Sequence, residues 1–113
     1  MGYTEETKKF ELMEETFMLV SFAMYPLDKG EHLSEYVARI SRIINESGLP
    51  HELNAMSTIV EGDWDEVFGL IKRCRDELRK DSGRISIKIW VDEKVGATGQ
   101  LKKKVESVEK KLK

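Results

Sequence analysis

The stretch Arg84–Asp92, RISIKIWVD, alternates apolar and polar residues without a break. Successive side chains on an extended chain point to opposite faces, so Ile85, Ile87, Ile89 and Val91 share one face and Arg84, Ser86, Lys88 and Trp90 the other. Any fold for this chain must accommodate that strand. Phe17 to Tyr25 (FMLVSFAMY), closed by Pro26, reads as a second strand, with Val20, Phe22 and Met24 on one side and Ser21, Ala23 and Tyr25 on the other. His51 to Gly62 has strand composition and room for two short strands bent around Met56 and Ser57.

Helical spacing fills the intervals. Leu33, Val37, Ile40 and Ile44 repeat at helical intervals and stop before Gly48 and Pro50. After Gly62, one stripe carries Trp64, Val67, Phe68, Ile71, Cys74 and Leu78, predicting a helix to about Lys80. Beyond the Gly96–Gly99 loop (GATG), Leu101, Val105, Val108 and Leu112 line a short charged helix that is marginal alone in water and so must dock. Strand, helix, strand, strand, helix, strand, helix is the order of a ferredoxin-like βαββαβ plait, α+β in class, with an added C-terminal helix. Right-handed crossovers place both main helices on one face of an antiparallel four-stranded sheet and leave the other bare. Ser21, Tyr25, Ser86, Lys88 and Trp90 are expected on the bare face, a mixture suited to a wet interface.

Composition sets the remaining bounds. The 113 residues are 40% hydrophobic and 35% charged, which suits a single domain over residues 16–113 preceded by a polar extension, residues 1–15. A chain this short buries only about two-thirds of its unfolded surface, so a partner subunit would help it. Nineteen Lys and Arg against 21 Asp and Glu give a net charge of −2, too balanced for nucleic acid or anionic lipid to be an expected partner. No apolar run approaches the length of a spanning helix or resembles a signal peptide, so a cytoplasmic location is expected. Cys74 is alone, in agreement with a reducing compartment.

Few residues carry reactive chemistry. In the acidic run Glu61, Asp63, Asp65, Glu66, Asp63 sits at a helix N-cap and Glu66 completes a capping box, which explains two carboxylates without a metal. Glu61 stands on a strand end, available to a ligand. His32 and His51 lack metal-ligand spacing, Cys74 lies mid-helix on the apolar stripe, and the GATG loop lacks the GK[ST] of a phosphate loop. The lysines of the last helix are interspersed with Glu106 and Glu109 as on a solvated face. No nucleophile, base and orienting group assemble, so neither an enzyme nor a metal or cofactor site is expected.

Several strings in order, among them Tyr25-Pro26-Leu27, Ser34-Glu35-Tyr36-Val37, Glu46-Ser47-Gly48-Leu49, MSTIVEGDWDEV over residues 56–67 and KVESV over 104–108, resemble the small thiamine-binding protein family of bacteria and archaea. The likeness spans about Phe17 to Leu112. It differs at Ala55-Met56-Ser57, where relatives commonly carry Pro-Met-Gly. The resemblance implies a ferredoxin-like subunit that forms homodimers or homotetramers and binds thiamine or its hydroxymethylpyrimidine moiety between subunits without catalysis. An aminopyrimidine offers a donor and acceptor edge and a flat face, and a thiazolium adds positive charge. Asn54, Ser57 and Thr58 can match the edge, Tyr25 or Trp90 can stack, Glu61 can supply a counter-charge and Ser21 can assist. Lys88 would repel a cation and favour the neutral pyrimidine or an anion. The alternative is an oligomeric interaction module whose sheet face serves assembly alone.

Overall fold

The computed structural model describes Thr4 and residues 15–113; the expected extension over residues 1–15 lies outside them except for Thr4 and Glu15. Strand β1 (Met18–Pro26) is followed by helix α1 (Ser34–Glu46) and the hairpin of β2 (His51–Leu53) and β3 (Thr58–Gly62). Helix α2 (Trp64–Leu78), strand β4 (Ile85–Glu93) and helix α3 (Gln100–Lys111) complete the order. All neighbouring strands are antiparallel in the order β2-β3-β1-β4, the ferredoxin-like arrangement with an added C-terminal helix.

The alternation read in β1 governs packing. Met18, Val20, Phe22 and Met24 are buried beneath α1 and α2, where they meet Ile40, Ile44, Val60, Leu70, Cys74 and Leu78. Two helix ends carry local signals. Gly48, at φ +76°, adopts the left-handed conformation that a glycine takes at little cost after α1. The capping box at α2 is present: Glu66 N–H donates to Asp63 Oδ1 at 2.7 Å, and Asp63 N–H donates to Glu66 Oε1 at 3.4 Å. Asp28 accepts from the Ser82 hydroxyl and Gly83 N–H, at 2.5 and 2.9 Å, and so ties the turn after β1 to the turn before β4.

The structure departs from the sequence pattern in three places. Ile87 and Ile89 share the face of Phe22 and Met24, yet they are 39% and 42% exposed. The helices pack over β1 and β3, and the outer strand β4 extends beyond their cover. Trp64, expected on the buried stripe, begins α2 half-exposed and leans on Phe68 with ring centroids 4.4 Å apart.

The third departure concerns the bare face. Ser21 lies opposite Trp90, Ala23 opposite Lys88 and Tyr25 opposite Ser86, so these residues do share the face away from α1 and α2. At the Leu19 end, however, the start of α3 folds over it. Gln100 N–H donates to Glu61 Oε2 at 2.7 Å, Lys104 pairs with Asp92, and Ala97 is buried. Docking of α3 stops there, with Val105, Val108 and Leu112 exposed.

Hydrogen-bond parity fixes which way the main chain points. Leu27 N–H donates to Arg84 C=O at 2.8 Å, so Leu27 and Arg84 form a hydrogen-bonded pair. Orientation alternates along an antiparallel ladder. Odd-numbered residues of β1 therefore pair with even-numbered residues of β4, while even-numbered residues of β1 turn their amides toward β3. Pro26, which has no N–H, falls in a non-bonded pair with Ile85, as this parity requires.

Candidate binding cleft and family membership

Unequal strand lengths make a cleft. Pairing of β3 with β1 ends at Phe22 opposite Thr58, but β1 continues to Pro26 along β4. The hairpin turns instead through residues 54–57, closed by Asn54 N–H donating to Ser57 C=O at 2.9 Å, with Met56 90% exposed at its tip. The resulting gap is about 240 Å³. One wall is Phe22 to Tyr25 of β1, another is Leu53 to Thr58, and Val37, Ile40 and Ser41 of α1 close the third side.

Parity aims the N–H and C=O of Met24 at the side where β3 has ended, so they have no main-chain partner among the described residues. Both groups face the gap. A neighbouring donor and acceptor with unspent hydrogen-bonding capacity is a costly feature unless water or a ligand meets it.

Tyr25, Asn54, Ser57 and Thr58 line this cleft. The Ser21 hydroxyl donates to Ser57 Oγ at 2.9 Å, fastening the turn to the strand floor. Thr58 lies opposite Phe22 and therefore faces the helices, so the cleft passes through the end of the sheet and is not confined to its open face. Lys88 and Trp90 do not line it; they lie across β1 on the open face, with Trp90 76% exposed. Glu61, expected to be available to a ligand, is 3% exposed and committed to the first amide of α3. Sequence reasoning missed the α1 wall and the Met24 main chain. The first was signalled by Val37 and Ile40; the second has no side-chain signature.

The remaining reactive groups have structural partners. His51 Nδ1 lies 2.7 Å from Leu49 C=O and Nε2 lies 2.8 Å from Asn45 Oδ1. Burial pushes the Cys74 thiol up to about 11, which keeps it protonated at neutral pH. No cluster of three or more metal-ligating side chains occurs among the described residues, and none of their helices is long and apolar enough to cross a membrane.

Known proteins resemble this chain in sequence and fold. A UPF0045 protein of Mycobacterium bovis is 38% identical over 96 residues, covering 84% of this chain and 94% of its own. A UPF0045 protein of Synechocystis is 32% identical over 93 residues, covering 81% and 77%. Among solved structures, a hypothetical protein of Methanocaldococcus jannaschii superposes with a TM-score of 0.76 at 26% identity, covering 82% of this chain and 96% of its own. A Thermotoga maritima protein provisionally assigned to thiamine biosynthesis or salvage gives 0.71 at 25% identity, covering 81% and 98%. The model of the thiamine-binding protein family matches residues 20–109, well over half of the chain. With the plait in agreement, the chain belongs to the thiamine-binding protein family.

Proposed function

We propose that this chain is a non-catalytic, cytoplasmic binding protein for thiamine or its hydroxymethylpyrimidine moiety, assembled as a homodimer or homotetramer. The pyrimidine enters the cleft between β1, α1 and the hairpin turn. The observation that carries this reading is the unpaired Met24 amide and carbonyl, a donor beside an acceptor at the edge of the gap. An aminopyrimidine presents the complementary acceptor and donor on one edge. Asn54 and the Ser57 hydroxyl can reach its remaining polar atoms, and Tyr25 can cover a ring face.

Size supports the smaller fragment. Pockets that enclose drug-sized ligands begin at about 300 Å³, so a gap of about 240 Å³ suits one ring with its substituents. The rest of thiamine would project toward the open face, where Ser21, Lys88 and Trp90 lie and where a second subunit completes the enclosure. Lys88 disfavours a bare thiazolium there and tolerates a phosphorylated tail. Glu61 serves α3 and has no part in recognition.

Titration calorimetry with hydroxymethylpyrimidine, thiamine and thiamine phosphate tests the reading. Saturable heat is expected with each ligand that carries the pyrimidine. Asn54→Ala should weaken binding about tenfold, the loss of one hydrogen bond, with the oligomer unchanged. Absence of heat with all three ligands would refute it in favour of a module that assembles without a small molecule.

A further inference from the structure

The two edges of the sheet are built differently. The β2 edge is three residues long, a length that leaves little for another chain to pair with. The β4 edge runs nine residues in unbroken register with β1, without proline or bulge. Natural proteins seldom leave so long and regular an edge unprotected. Parity assigns the even-numbered residues of β4 to β1, so the N–H and C=O groups of Ile85, Ile87, Ile89, Val91 and Glu93 all point outward. The same residues carry the half-exposed isoleucines. Beside them a groove of about 600 Å³ separates β4 from α2, with Phe68, Ile71, Ile85 and Ile87 along it and Arg79 and Arg84 at one end. Neither arginine has an ion-pair partner among the described residues.

We propose that this edge pairs with β4 of a second copy, antiparallel about a two-fold axis at Ile89, joining two sheets into one of eight strands. This edge contact borders the open face and does not rest on the reading of the cleft.

Parity limits the registers. Outward groups are odd-numbered, so the axis must pass through a residue and not between two. An axis at Lys88 would set two lysines face to face. Ile89 is the midpoint of Ile85–Glu93, and only there does every strand residue find a partner. Roughly ten main-chain hydrogen bonds result. On the helix side, Ile89 meets its own copy and Ile87 meets Val91, covering the apolar surface that α2 leaves open. On the other side, Lys88 stands opposite Trp90 of the second copy, an arrangement for a cation over an aromatic face. Glu93 of the second copy comes opposite Ile85, at the end of the groove that holds Arg79 and Arg84.

Light scattering and cysteine trapping test this contact. Wild type is expected at an even multiple of the 13.1-kDa chain. Ile89→Pro removes an N–H that serves only the outer edge, so the β1 ladder should persist and the mass should fall at least twofold. Circular dichroism checks that the variant remains folded. Directly opposite residues in a hydrogen-bonded pair have Cα atoms about 5.5 Å apart, within disulfide reach. Ile89→Cys should therefore form a dimer under mild oxidation, while wild type, with its buried Cys74, does not. A monomeric wild type overturns the proposal. So does an oligomer whose mass survives a folded Ile89→Pro and whose Ile89→Cys form resists crosslinking, since that pattern means assembly through another surface. Calorimetry on the Ile89→Pro protein keeps the two readings apart, because pyrimidine binding reports on the cleft alone.

Discussion

Replacing Glu61 by alanine should loosen the foot of α3. The carboxylate is 3% exposed and reaches across the sheet to the Gln100 amide, while the residue at the N-cap, Gly99, has no side chain to offer. A hydrogen bond to a charged group contributes about 1.5–3 kcal/mol, and a carboxylate at a helix N-terminus also meets the positive end of its dipole. Truncation further leaves the part-buried Gln100 amide without its acceptor. We therefore expect Glu61→Ala to cost about 2–3 kcal/mol, which for a domain of this size lowers Tm by roughly 10 °C. Glu61→Gln keeps an acceptor of the same shape and loses the charge, so its Tm should fall by only about 3 °C. Thermal melts followed by circular dichroism, with hydrogen exchange of residues 100–112, measure both effects. Faster exchange in α3 should accompany the Ala variant. A Tm within about 1 °C of wild type, with α3 exchange unchanged, would refute the assignment of Glu61 as the cap of α3.

Three further outcomes follow from other contacts. Asp63→Ala removes the α2 capping box and should cost about 1 kcal/mol in urea unfolding, with a smaller effect from Glu66→Ala. The Ser82 hydroxyl, aided by the Gly83 N–H, holds Asp28 below its ordinary value of 3.8. A depressed folded value contributes stability that is present above the unfolded value and lost as pH falls through the folded one, so Asp28→Asn should flatten the decline in urea midpoint from about pH 4 downward. Cys74 should react with a thiol reagent at pH 8 only as fast as the protein opens, and labelling at the rate of a free thiol would contradict its burial.

Much of the fold could be read before any coordinates. The alternation in β1 and β4, the Gly48 stop and the Asp63 and Glu66 box are local signals, each written within one turn or one pleat. What escaped is of longer range. Glu61 and Gln100 lie 39 residues apart, and no spacing rule joins a strand carboxylate to a helix that begins after another strand and loop. The exposure of Ile87 and Ile89 depends on which strand lies outermost, which the alternation itself cannot express. The cleft was half legible: the polar residues around the turn were picked out by type. The Met24 main chain was not, because every residue owns the same amide and only pairing tells which one is spared.

The mismatch between β1 and β3 also bears on how relatives of this design can change. A hollow formed by large and small side chains is retuned by substitution; this one is a place where one strand stops before its neighbour does. Its width is counted in residues of hairpin. Two residues added to each arm would carry the ladder on to Met24 and zip the gap shut, while many replacements along its walls would alter preference and leave the opening in place. Insertions and deletions at the turn, more than point changes, should therefore separate members that take a guest from those that do not.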